Sequence, residues 1–131
     1  MILLSAENVT KSYVEKKLLN DVSFYLNEGD KVGIIGVNGT GKSTFLKIIA
    51  GIENSESGTI VRASGVRIGY LPQNPIFEEN FSVIDQVFKG ASSQLKELKE
   101  YEAKAILNKL GITEFEKNVS LLSGGEKKRV A

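Results

Sequence analysis

The chain has 131 residues, with 17 Lys plus Arg against 16 Asp plus Glu and a formal net charge of +1. That balance excludes a strongly basic polyanion-binding module, and 41% apolar residues exclude a disordered chain. With neither cysteine nor histidine, disulfides, Cys-based metal sites and Ser-His or Cys-His couples are excluded, no apolar run reaches the ~18 residues of a membrane span, and the start MILLSAENVTKSY lacks the basic region of a secretory signal.

In chain order, Ile2, Leu4 and Ala6 alternate with more polar neighbours before Val9. Val22, Phe24 and Leu26 alternate ahead of the turn cluster Asn27-Glu28-Gly29-Asp30, so two strands are expected. Val32-Gly33-Ile34-Ile35 is apolar on both faces and predicts a strand buried in a mostly parallel sheet. A glycine-rich loop follows over 36–41. Thr44–Ala50 reads as a short helix with Phe45, Ile48 and Ile49 on one side and a stop at Gly51. Thr59–Val61 and Val66–Leu71 read as further strands, and Pro72 and Pro75 mark a loop.

From Ser82 the pattern turns helical. Val83, Val87 and Phe88 predict a short helix ending at Gly90, and 93–110 a longer one. Leu95, Leu98 and Tyr101 share one face of it. Ala103, Ile106, Leu107 and Leu110 share another, about a third of a turn away. Two helices meeting near Tyr101–Ala103, native sequence lost there, or one helix with a broad apolar side each account for the slip. The expectation is a globular α/β chain, cytoplasmic in a reducing compartment, with a β part and loop core over 1–81 and a helical subdomain over 82–131.

Gly36-Val37-Asn38-Gly39-Thr40-Gly41-Lys42-Ser43 fits G-x-x-x-x-G-K-[ST], the phosphate-binding loop. Such a loop wraps a phosphate in backbone N–H groups. Its glycines allow close approach and unusual dihedrals, and the next helix aims its N-terminal amides at the same anion. Lys42 supplies a point charge for the outer phosphates, and Ser43 offers a hydroxyl to magnesium. The bland alternative is a tight turn with a solvent-facing lysine. Farther on, Leu122-Ser123-Gly124-Gly125-Glu126 carries a capping box, Ser123 with Glu126, and so predicts a helix start with two bare glycines on its first turn. Alone, Ser123 would be merely a cap. Lys127-Lys128-Arg129 reads as a solvated helix face.

With those two motifs in hand, the chain resembles the ATP-binding cassette (ABC) ATPases, whose signature reads LSGG followed by Gln or Glu. The resemblance implies a P-loop NTPase fold with an antiparallel N-terminal β part, a helical subdomain, and ATP with Mg2+ as cofactors. It implies that amides of Gly39, Thr40, Gly41 and Lys42 cradle the phosphates and that Thr44 supports the α-phosphate. Tyr13, in Lys11-Ser12-Tyr13, falls where the family stacks an aromatic ring on adenine. An edge tyrosine packing locally is its alternative. Gln73, in Tyr70-Leu71-Pro72-Gln73, falls at the family's Q-loop, where its carbonyl reaches magnesium and the attacking water. Ser123 and Gly125 would contact a γ-phosphate held on a second cassette paired head-to-tail.

The family continues past its signature with an apolar strand ending in Asp-Glu. No such run occurs among these residues, so the cassette is expected to lack its closing C-terminal strands, to be truncated after the signature motif, and to bind nucleotide without turning it over. The stretches Val32–Thr44, Ile68–Pro75 and Leu122–Ala131 look most like the ABC-F branch, two-cassette proteins that act on ribosomes. The chain would then be the first cassette, with part of a helical arm absent near Tyr101. The alternatives are the ATP-binding subunit of a membrane transporter, docking a permease near Gln73, and a non-catalytic nucleotide-binding fragment.

Overall fold

A computed structural model describes residues 1–37 and 39–131; Asn38, one of the loop residues expected to bind nucleotide, lies outside the described residues. The chain forms two compact units, Met1–Tyr70 and Leu71–Ala131.

In the first unit, β1 (Ile2–Tyr13), β2 (Lys16–Asn27) and β3 (Ser57–Arg62) make an antiparallel sheet in the order β2-β1-β3. Leu4 and Ala6 face inward, two residues apart as strand geometry requires. Strict alternation would next bury Asn8, a polar side chain. Instead Asn8 takes φ 54° and the register shifts between Ala6 and Val9, so Val9 is buried and Asn8 exposed. Asp21 does the same on β2 with φ 56°, between Leu19 and Val22. The two bulged residues meet: Asn8 Nδ2 donates to Asp21 Oδ1 at 2.7 Å, and Asn8 N–H donates to the Ser23 hydroxyl at 3.0 Å. Paired bulges of this kind re-aim side chains without breaking the ladder.

Onto this face packs α1 (Lys42–Ala50). Phe45 and Ile48 are buried against Ala6, Val9 and Leu19, and the Phe24 ring meets Phe45 edge-on at 6.1 Å and 85°. Each of the two buried side chains contributes about 1.5–3 kcal/mol relative to exposure. The helix is therefore fixed by its apolar side, which fixes where its N-terminus points. Gly51 ends it in a left-handed conformation, its N–H donating to Ile48 O at 3.0 Å, as the sequence suggests.

Two expected strands do not form. Val32–Ile35 and Val66–Leu71 have no ladder, and Ile35 is 94% exposed. Among the described residues the sheet is wholly antiparallel, so the mostly parallel core is not seen. A strand is a pairing, not a property of one segment, and neither run has a hydrogen-bonded neighbour here. Ile34 and Ile35 instead border an open hollow of about 370 Å³ with Leu19, Val22 and Phe45.

The second unit holds α2 (Val83–Val87), α3 (Ser93–Lys109), a single 3₁₀ turn at Val119–Leu121 and α4 (Gly124–Val130). Ser82 and Ser92 cap the first two helices, accepting from Asp85 N–H and Leu95 N–H at 3.2 Å each. The core is Val83, Ile84, Leu107, Ile112, Val119, Leu122 and Val130. Residues 93–109 form one uninterrupted helix, so two helices do not meet near Tyr101. Only Leu107 of this helix is buried, whereas Leu98 and Tyr101 are 76% and 85% exposed. Ion pairs Lys99–Glu102 at 2.9 Å and Lys104–Glu100 at 3.4 Å lie on the exposed length, each adding a few tenths of a kcal/mol.

Candidate functional site

The glycine loop follows residues 31–35, which form neither helix nor strand, and enters α1 at Gly41. Gly41 is buried and sits at φ 94°, where a Cβ would stand 3.0 Å from Leu18 O and 3.3 Å from Leu19 Cδ2. Only glycine meets both demands without strain. Because the cap is glycine, no side chain accepts from the first turn of α1, and that turn carries no acid. Its N–H groups are thus left for an outside acceptor, which is the arrangement that binds anions.

Lys42 folds back over the loop. Its ammonium donates to Gly36 O and, at 3.2 Å, to Val37 O. The Thr40 hydroxyl donates to the same Val37 carbonyl at 2.7 Å. Ser43 is exposed on the first turn and Thr44 half-buried beside it. Gly39, Gly41, Lys42, Ser43 and Thr44 line a cleft of about 170 Å³ with Leu18. Uncapped amides, a lysine and hydroxyls, with no carboxylate in the lining, are a donor set that fits a polyphosphate. Magnesium favours oxygen donors, keeps several waters and accepts one or two protein ligands beside phosphate oxygens. Ser43 Oγ fits that role. No cluster of three or more Asp or Glu among the described residues could hold a metal by itself.

Tyr13 ends β1 with its ring 42% exposed and Lys11 Nζ 5.3 Å from the ring centre. Its hydroxyl donates to the Glu53 carboxylate, just past α1. That bond holds the phenol above its ordinary pKa, with the Thr44 hydroxyl acting in the opposite direction. Tyr13 and Thr44 are thus brought together, and the ring is tethered rather than free.

The second unit carries Gln73, Ser123 and Gly125. Gln73 is exposed in a bend. Ser123 and Glu126 form the expected capping box: Glu126 N–H donates to Ser123 Oγ at 3.2 Å, and Ser123 N–H to Glu126 Oε1 at 3.1 Å. The Ser123 N–H is the main cause of the lowered Glu126 pKa, followed by the Ser123 hydroxyl. A Cβ on Gly124 or Gly125 would meet nothing within 4 Å, so this turn is bare.

Sequence reasoning missed two basic residues. Lys16, opening β2, donates from Nζ to Gly39 O at 3.0 Å. Arg129, read as part of a solvated run, donates from Nη1 to Leu110 O at 2.9 Å and from Nε to Gly125 O at 3.4 Å. Each link joins residues 19 or more apart, except Arg129–Gly125, whose i, i+4 spacing on one helix was the only local signal.

The family model described as ABC transporter matches residues 19–131. The uncharacterized ABC transporter ATP-binding protein YfmR of Bacillus subtilis is 36% identical over 168 residues, covering all of this chain and 27% of YfmR. The manganese transport system ATP-binding protein MntB of the same organism is 37% identical over 145 residues, covering 99% of this chain and 58% of MntB. A protein of Encephalitozoon cuniculi named "Probable ATP-binding cassette sub-family F member 3 homolog" is 34% identical over 130 residues, covering 98% of this chain and 22% of that protein. The chain thus spans from about a fifth to somewhat over half the length of these relatives. Among solved structures, an ATP-binding subunit of an ABC transporter superposes with TM-score 0.79 over 98% of this chain and 59% of that one, at 24% identity, which speaks to the fold. With the phosphate loop, the capped signature turn and that match in agreement, the chain belongs to the ABC transporter ATP-binding family.

Proposed function

We propose that this chain supplies the nucleotide-binding part of a Mg2+- and ATP-dependent cassette that pairs head-to-tail with a second cassette, in a cytoplasmic protein of the ABC-F kind. The observation that carries the nucleotide reading is the loop Gly36–Ser43 running into an uncapped, acid-free first turn of α1. Amides of Gly39 to Lys42 and the Lys42 ammonium hold the β- and γ-phosphates, and Thr44 the α-phosphate. Tyr13, with its hydroxyl tied to Glu53, offers a ring to adenine. Ser43 offers its hydroxyl to magnesium, which neutralises phosphate charge when bound. Ser123 and Gly125, on a turn free of side-chain bulk, take the γ-phosphate carried by the partner cassette. ATP then joins the two cassettes and its hydrolysis in the complete protein releases them.

One observation supports the ABC-F reading. The sub-family F relative matches 98% of this chain within 22% of its own length, and YfmR within 27%, which leaves both room for a second cassette. The second reading, a transporter's ATP-binding subunit docked on a permease, is favoured by MntB at 37% identity.

Thermal melts with Mg·ATP test the nucleotide reading. ATP at 100 times its Kd adds about 2.7 kcal/mol, and Lys42→Ala abolishes the shift; a flat response of the wild-type chain refutes it. Co-sedimentation of the full-length protein with ribosomes, in a slowly hydrolysed ATP analogue, separates the branches. Recovery with an integral membrane protein instead selects the transporter reading.

A further inference from the structure

Two ammonium groups converge on the glycine loop, and only Lys42 belongs to the motif. Lys16 reaches it from the start of β2, donating to Gly39 O at 3.0 Å. A Cβ on Gly39 would stand 3.8 Å from that nitrogen. Neither Lys16 nor Lys42 pairs with a carboxylate among the described residues, whereas Lys89, Lys96, Lys99, Lys104 and Lys117 all do. The charge at the loop is therefore uncompensated: both cations rest on carbonyl oxygens, which carry only partial charge.

An ammonium has three N–H donors. Lys16 spends one on Gly39 and its side chain is exposed, leaving two. Phosphate oxygens accept charge-assisted hydrogen bonds that are shorter and stronger than those to neutral carbonyls. We propose that Lys16 is a second phosphate-binding cation of this loop, contacting a phosphate oxygen of a nucleoside polyphosphate while steadying the loop through Gly39. This rests on the nucleotide reading above. Lys16 contributes binding here and takes no part in bond making or breaking.

Calorimetric titration of the 131-residue chain with Mg·ATP, in wild type, Lys16→Met, Lys16→Gln, Lys16→Arg and Lys42→Ala, tests it. Gln can still donate to the Gly39 carbonyl but is uncharged, so it separates charge from anchoring. The expected result is a loss of about tenfold in affinity for both Met and Gln, with Arg within about twofold of wild type. If Gln retains wild-type affinity, or if all three Lys16 variants do while Lys42→Ala loses binding, Lys16 is not a phosphate ligand and the nucleotide reading stands. If Lys42→Ala binds like wild type, or wild type does not bind, the nucleotide reading fails and takes Lys16 with it.

Discussion

The Arg129 guanidinium donates to the carbonyl oxygen of Leu110 at 2.9 Å and so closes the C-terminal end of α3 from α4. That end bears the negative pole of the helix and unpaired carbonyls, which a cation stabilises. The same side chain reaches Gly125 O on the signature turn. Arg129→Ala is expected to destabilise the helical unit by about 1 kcal/mol, with Lys recovering part of it. Urea melts followed by far-UV circular dichroism check this; an unchanged midpoint removes the cap from the account.

Acid should loosen the same unit. Glu126 and Asp85 both have lowered pKa values, Glu126 chiefly through the Ser123 N–H and Asp85 chiefly through Lys96, then the Ser82 hydroxyl. A carboxyl depressed by folding binds fewer protons in the folded state. Its stabilisation is present above the ordinary carboxylate range and is lost as pH falls through the lower, folded value. The urea midpoint should therefore drop between pH 6 and pH 3, and less steeply in Glu126→Gln. Equal drops in both proteins would falsify the assignment to Glu126.

What the sequence made legible was local. The glycine loop, α1 with its stop at Gly51, and the Ser123–Glu126 box each lie within about ten residues of chain, where spacing and residue type decide the outcome. The strands expected at 32–35 and 66–71 were not local questions, because a ladder needs a neighbour that apolar patterning cannot supply. Tyr13–Glu53, Lys16–Gly39 and Arg129–Leu110 bridge 40, 23 and 19 residues. Nothing in residue order marks such pairs. The bulges at Asn8 and Asp21 stood half in view, as a three-residue step between apolar positions where alternation asks for two.

The β1–β2 turn is held in a costly conformation. Val14 is fully exposed at φ 53°, between the paired residues Tyr13 and Lys16. A β-branched residue in the left-handed region costs about 1–2 kcal/mol, and no packing offsets it. Val14→Asn, a residue that tolerates this region, is expected to stabilise the chain by about 1 kcal/mol. Asn adds no contact to the loop, so Mg·ATP affinity should not change. A lowered denaturation midpoint would mean that the valine side chain is buried by something the turn does not reveal.

Gly41 and Gly51 bracket α1 and separate two costs of adding a side chain. Both are left-handed, at φ 94° and 79°, but a Cβ at Gly51 meets nothing within 4 Å while one at Gly41 meets Leu18 O at 3.0 Å and Leu18 Cβ at 3.2 Å. Gly51→Ala should therefore lose only the backbone term, about 1 kcal/mol. Gly41→Ala carries that term plus displacement of the β2 backbone, for a total of about 2–4 kcal/mol. Because α1 is held by Phe45 and Ile48 at its buried face, the displaced element is its first turn, which lines the proposed phosphate cleft. Nucleotide affinity should then fall in Gly41→Ala and stay near wild type in Gly51→Ala. Urea melts and Mg·ATP titrations on the two variants measure both halves, and equal losses of stability would show that the close approach to Leu18 carries no energy.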